Sequence, residues 1–113
     1  MKIYHNPRCR KSRETLALIR EKGVDVEIIE YLNDVPSADE LKEVISKLGI
    51  PAGQLIRKGE ADFKLNFKGK DLSEAEWIAA MIKYPKLIER PIVVDNEKAV
   101  LGRPPENVME LLS

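Results

Sequence analysis

The order of periodicities in the first 31 residues constrains this chain more than any other feature. Residues 1–5 read as a short strand, with Ile3 as its core residue. Residues 10–22 place Thr15, Leu16, Leu18 and Ile19 at helical spacing, and Gly23 supplies the stop. Residues 24–31, Val-Asp-Val-Glu-Ile-Ile-Glu-Tyr, are β-branched and partly alternating, the pattern of a second strand. Strand, helix and strand in so short a span predict a βαβ unit with parallel strands.

The rest of the chain narrows the topology. Ser37 and Glu40 have the spacing of a capping box ahead of Leu41, Val44, Ile45 and Leu48, a helix that Gly49 ends. Residues 51–58 predict a short helical turn carrying Leu55 and Ile56 and closed by Arg57. Residues 59–70 are charged and glycine-punctuated, and read as a loop anchored by Phe63, Leu65 and Phe67. Ser73 and Glu76 form a second capping box, opening a helix through Trp77, Ile78, Met81 and Ile82 that Pro85 terminates. Residues 91–95 and 99–102 are short strands joined across Asp95-Asn96-Glu97-Lys98 as a hairpin, and Pro104 starts a last helix with Val108, Leu111 and Leu112. The order β-α-β, helices, then β-β-α resembles an α/β thioredoxin-like fold: a mixed four-stranded sheet with a helical insertion after the second strand.

At 113 residues, 43% of them hydrophobic and 34% charged, the chain is expected to form one soluble domain over residues 1–113. Nineteen basic and nineteen acidic side chains cancel, which argues against a nucleic-acid or anionic-membrane partner. No apolar run approaches the length of a membrane span. The N-terminus enters a strand pattern directly, without a secretion signal, and one cysteine excludes an internal disulfide; the cytoplasm is the expected location. With no long apolar stripe left for an interface, a monomer is expected.

That single cysteine, Cys9, falls at the predicted junction of strand and helix in His5-Asn6-Pro7-Arg8-Cys9-Arg10-Lys11-Ser12-Arg13. A lone cysteine is most often a small buried hydrophobe. At a helix N-terminus, however, free N–H groups and the positive dipole end favour thiolate over thiol, and the same turn suits an anion. Arg8, Arg10, Lys11 and Arg13 add positive charge.

Three further arginines stand in suggestive settings: Arg57 closing the predicted helical turn, Arg90 before Pro91, and Arg103 before Pro104. Taken singly, each is more simply a solvated charge. A residue before proline is held out of the helical region, though, and a guanidinium can bind a tetrahedral oxyanion through paired N–H donors. In thioredoxin-like folds, which this order of elements resembles, a cis-proline opens the strand facing the cysteine, and Pro91 is the candidate for it.

His5-Asn6-Pro7-x-Cys9-x-x-Ser12-Arg13 with Thr15-Leu16, then Leu55-Ile56-Arg57-Lys58, then Arg90-Pro91-Ile92-Val93-Val94, then Arg103-Pro104 together resemble the glutaredoxin-coupled arsenate reductase family. The motifs stand in the family's order and span nearly the whole chain. The resemblance implies a thioredoxin-like fold and a cytoplasmic monothiol enzyme in which Cys9 attacks arsenate to form a covalent thioarsenate. Glutathione then displaces the arsenic, leaving a mixed disulfide that glutaredoxin reduces, and arsenite is released. It also implies that Arg57, Arg90 and Arg103 hold the oxyanion and that His5 helps keep Cys9 ionised, with Ser12 and Pro91 in support. The chain departs from the family in the charged flanks Arg8, Arg10 and Lys11, where small or uncharged residues are usual.

Chemistry and composition agree here. A covalent thiol intermediate needs a second thiol to resolve it, and this chain has none. Ser12, where a C-x-x-C pair would place its partner, cannot take that role. An external thiol such as glutathione is therefore expected as co-substrate, with no bound cofactor and, given one cysteine and one histidine, no zinc site. Two alternatives stay open: a general thiol–disulfide oxidoreductase acting on glutathione mixed disulfides, and a non-enzymatic RNA polymerase-binding regulator. The missing C-x-x-C switch lowers the second.

Overall fold

The structure, a computed structural model, describes residues 1–112. They fall into two compact units, one comprising Met1–Asp34 and the chain from Arg90 on, the other Val35–Glu89.

The first unit is built on a four-stranded sheet in the order β2-β1-β3-β4. Strand β1 (Lys2–Tyr4) leads to helix α1 (Arg10–Glu21) and strand β2 (Glu27–Ile29); the hairpin β3 (Ile92–Asp95) and β4 (Lys98–Leu101) completes the sheet. β1 pairs parallel with β2, Ile3 opposite Ile28, and antiparallel with β3, Ile3 opposite Val93. The sheet is thus mixed, as the order of periodicities predicts. Asn96, at φ 55°, makes the tight turn of the hairpin. β2 is shorter than the predicted 24–31, because a partner three residues long offers no further ladder; Val24 and Val26 pack on the core from the connection instead.

α1 buries Ser12, Thr15, Leu16 and Ile19, an i, i+3, i+4, i+7 face. Leu16 and Ile19 meet Ile3, Val93 and Val108 in the core. The same face places two polar side chains, Ser12 and Thr15, wholly out of solvent near its N-terminal end. Gly23, at φ 70°, takes the left-handed conformation that ends the helix. The last helix begins one residue later than predicted, as a 3-10 turn over Pro105–Val108 that runs into α5 (Met109–Leu112).

The second unit holds α2 (Ala38–Leu48), α3 (Ala61–Asn66) and α4 (Glu74–Lys83). Ser37 accepts the Glu40 N–H at 3.1 Å, and at α4 both halves of the Ser73/Glu76 capping box form. Two expectations are corrected here. The supposed loop at 59–70 contains α3: Phe63 within it and Phe67, its C-cap, set their rings 6.3 and 6.2 Å from that of Trp77. The helical turn at 51–58 ends at Leu55, after which Ile56 forms an antiparallel bridge with Ile88, so Arg57 follows an extended residue. No described helix is long and apolar enough to cross a membrane.

Candidate active site

Cys9 is the N-cap of α1, with an extended backbone at φ −91° and ψ 122°. The turn leading to it is held from within. The Cys9 N–H donates to the Asn6 carbonyl at 3.0 Å, the Arg8 N–H to Asn6 Oδ1 at 3.0 Å, and Arg13 Nη1 to the Pro7 carbonyl at 3.0 Å. The first turn of α1 carries no acidic residue, so the positive end of the helix is left to the sulfur.

Burial of the half-buried Cys9 thiol is the largest single influence on it and would push its pKa up. It is outweighed by the backbone N–H of Ser12, the guanidinium of Arg90, the backbone N–H of Lys11 and the guanidinium of Arg103, which together hold the thiol below its ordinary value. Two helix N–H groups and two arginine charges thus favour the anion.

His5, at the end of β1, is 6% exposed, and its Nδ1 lies 2.6 Å from Ser12 Oγ. Ser12 Oγ also accepts the Asn6 N–H at 3.1 Å. Burial, the leading cause, lowers the His5 pKa against the opposing pull of Glu30, and Arg20 and Arg13 lower it further. The imidazole is therefore neutral at pH 7, and its described link to the cysteine turn is the Ser12 hydroxyl rather than charge.

The two arginine-proline pairs flank the hairpin. Both Arg90-Pro91 and Arg103-Pro104 are cis; only the first is singled out by the sequence. Arg103 Nη1 donates to the Arg90 carbonyl at 3.2 Å, and Arg90 Nε is buried without a hydrogen-bond partner among the described residues. The first unit thus brings together Cys9, His5, Ser12, Arg90, Pro91 and Arg103. Arg57 belongs to the second unit, where Nη1 lies 3.3 Å from Glu60 and donates to the Lys86 carbonyl at 3.2 Å, and Nε lies 4.0 Å from Glu89. Of the flanking cations, Arg8 and Lys11 are exposed, and Arg10 pairs with Glu14 at 3.1 Å on the surface.

Sequence reading passes over Asn6 and the Arg13–Pro7 clamp as the supports of the cysteine turn. Their signal is the register of Ser12 with Thr15, Leu16 and Ile19, which puts the serine on the buried face and forces it to find partners nearby. Chemically, the arrangement offers a thiol whose ionisation is favoured, N–H donors at a helix start and a guanidinium N–H without a partner among the described residues, a set that suits attack on a small oxyanion.

Comparison with known proteins agrees with this geometry. The sequence model of the ArsC family matches residues 4–111. The chain is 48% identical to an arsenate reductase of Haemophilus influenzae over 112 residues, covering 97% of each protein. It is 50% identical to YfgD of Escherichia coli K12, described as uncharacterised, over 99% of this chain and 96% of that protein. The solved structure of an arsenate reductase from Vibrio cholerae superposes with a TM-score of 0.91 at 48% identity, covering 97% of both chains.

Proposed function

This chain belongs to the ArsC family, and from that membership and the surroundings of Cys9 we propose that it reduces arsenate to arsenite by monothiol chemistry. The observation that carries the proposal is the helix-capping Cys9 with its thiol held low by the Ser12 and Lys11 N–H groups and by Arg90 and Arg103, against its own burial. The Cys9 thiolate attacks arsenic(V), forming an S–As bond as an arsenate hydroxyl takes up one proton from solvent and leaves as water. The thiolate of glutathione then forms an S–S bond to Cys9 as the S–As bond breaks. The electron pair of that bond stays with arsenic, which leaves as arsenite in the +3 state. Glutaredoxin takes the glutathione from the mixed disulfide and returns Cys9 to the thiol.

Arg90 suits the oxyanion role because its buried Nε–H has no described partner to lose. Arg103 shares that role from the neighbouring turn, and Arg57 is the third arginine that membership assigns to it. His5 and Ser12 hold the cysteine turn. Glutathione serves as co-substrate rather than bound cofactor, since the chain has no second thiol.

The test is arsenite formation from arsenate by wild type and Cys9→Ser, with glutathione and glutaredoxin supplied. Turnover that vanishes in the variant supports the proposal, and steady turnover without any added thiol contradicts it. No turnover, with Cys9 still alkylated at neutral pH, moves the assignment to a glutathione mixed disulfide as substrate.

A further inference from the structure

Gly102, between β4 and the Arg103-Pro104 turn, has a seat that the thioarsenate chemistry does not account for. A Cβ added there would fall inside contact distance of Thr15 Oγ1, 2.7 Å from Pro91 Cγ and 3.0 Å from Thr15 Cγ2. Thr15 is fully buried, and the pyrrolidine ring of Pro91 cannot swing aside. Backbone strain is not the reason for glycine here, because the glycines with positive φ are Gly23, Gly49 and Gly69, and Gly102 is not among them. The requirement is close approach alone. That approach brings the Gly102 N–H to 2.9 Å from the Pro91 carbonyl, and in the next residue Arg103 Nη1 reaches the Arg90 carbonyl at 3.2 Å. Two consecutive residues of one turn thus bond to two consecutive residues of the other. Thr15 forms the floor beneath them: its hydroxyl donates to the Lys11 carbonyl at 2.8 Å, within α1, and lies 3.4 Å from the Gly102 carbonyl.

We propose that Gly102, seated on Thr15 and Pro91, is a positioning residue for the anion site: its missing side chain lets the two arginine-proline turns lock together and so sets the spacing of the Arg90 and Arg103 guanidiniums. The inference rests on the reading of those arginines as oxyanion ligands. It adds that their placement depends on a contact between α1 and the end of β4. A methyl group at 102 must push the Arg103 turn away from Pro91 or Thr15, stretching both cross-turn bonds.

Gly102→Ala tests this with two readouts. The first is the pH midpoint of Cys9 alkylation by a neutral reagent, which requires no arsenate turnover. It is expected to move up by about half a unit or more, as the two guanidiniums lose their hold on the sulfur. The second is the KM for arsenate in the coupled assay, expected to rise about tenfold with a smaller change in kcat. A merely structural glycine would lower the melting temperature and leave both quantities alone, and that result in a folded variant overturns the proposal. If Gly102→Ala does not fold, Thr15→Ala keeps the proposal falsifiable. It removes the floor without crowding and keeps a good helix former, so the midpoint is expected to rise by a smaller amount. Wild-type midpoint and KM in folded Thr15→Ala then overturn the proposal. Should wild type fail to turn over arsenate while the midpoint shifts as expected, the oxyanion chemistry is wrong and the positioning role stands.

Discussion

His5 Nδ1 and Ser12 Oγ sit 2.6 Å apart in a buried setting, tying the end of β1 to the first turn of α1 across the cysteine turn. Ser12 also accepts the part-buried Asn6 N–H, so one hydroxyl serves a buried ring nitrogen and a backbone group of the turn. The turn bearing Cys9 is therefore braced from inside by side chains that cannot turn to solvent for a substitute.

Ser12→Ala leaves both the His5 ring nitrogen and the Asn6 N–H without that partner. An unsatisfied buried polar group costs about 1–3 kcal/mol, so the variant is expected to lose stability in that range. Urea unfolding measures it, as a lower midpoint at unchanged slope. A variant as stable as wild type would mean that the pair does not brace the turn.

Arg90 and Arg103 both lower the Cys9 pKa, and Arg90 does so more strongly. Alkylation by iodoacetamide, a neutral reagent, should follow the thiolate fraction, with a midpoint below that of an unperturbed thiol. Arg90→Ala and Arg103→Ala are each expected to raise that midpoint, Arg90→Ala further. An unchanged midpoint in both would leave the helix N–H groups as the only source of the lowering.

The parts of this molecule that are legible in sequence are those whose cause is local. Leu16 and Ile19 announce the buried face of α1, and Ser73 with Glu76 announces the start of α4. The cysteine at the strand–helix junction announces its own setting, since an N-cap residue lies next to free N–H groups in any fold. Where the cause is a distant contact, the reading falters. α3 is hidden between Gly59 and Gly69 because the ring that holds Phe63 and Phe67 is Trp77, further along the chain. Arg57 is misread as ending a helical turn because Ile88, which draws Ile56 into a bridge, lies 32 positions away. The seat of Gly102 depends on Thr15, 87 residues distant, and no local pattern carries that information.

Arg57 gives a prediction of rank. Its guanidinium lies within 4.0 Å of both Glu60 and Glu89, so charge it would lend an anion is already partly met by carboxylates. Arg57→Ala is accordingly expected to raise the KM for arsenate less than Arg90→Ala or Arg103→Ala. Parallel kinetics on the three variants check the order; a larger loss from Arg57→Ala would show that the anion displaces Glu60 and Glu89 to reach it.

His5 makes the fold itself sensitive to mild acid. Its pKa in the folded chain lies below the ordinary 6.5, chiefly because burial disfavours the imidazolium. Between the two values the unfolded chain binds a proton that the folded chain does not. Stability therefore rises with pH across that window. The contribution is fully present above 6.5 and is lost as pH falls toward the folded value. Urea midpoints taken from about pH 7.5 down to about pH 5 should decline, and the decline should be shallower in His5→Gln, which cannot take the proton. Equal slopes in the two proteins would mean that His5 keeps an ordinary pKa and that other groups set the acid response.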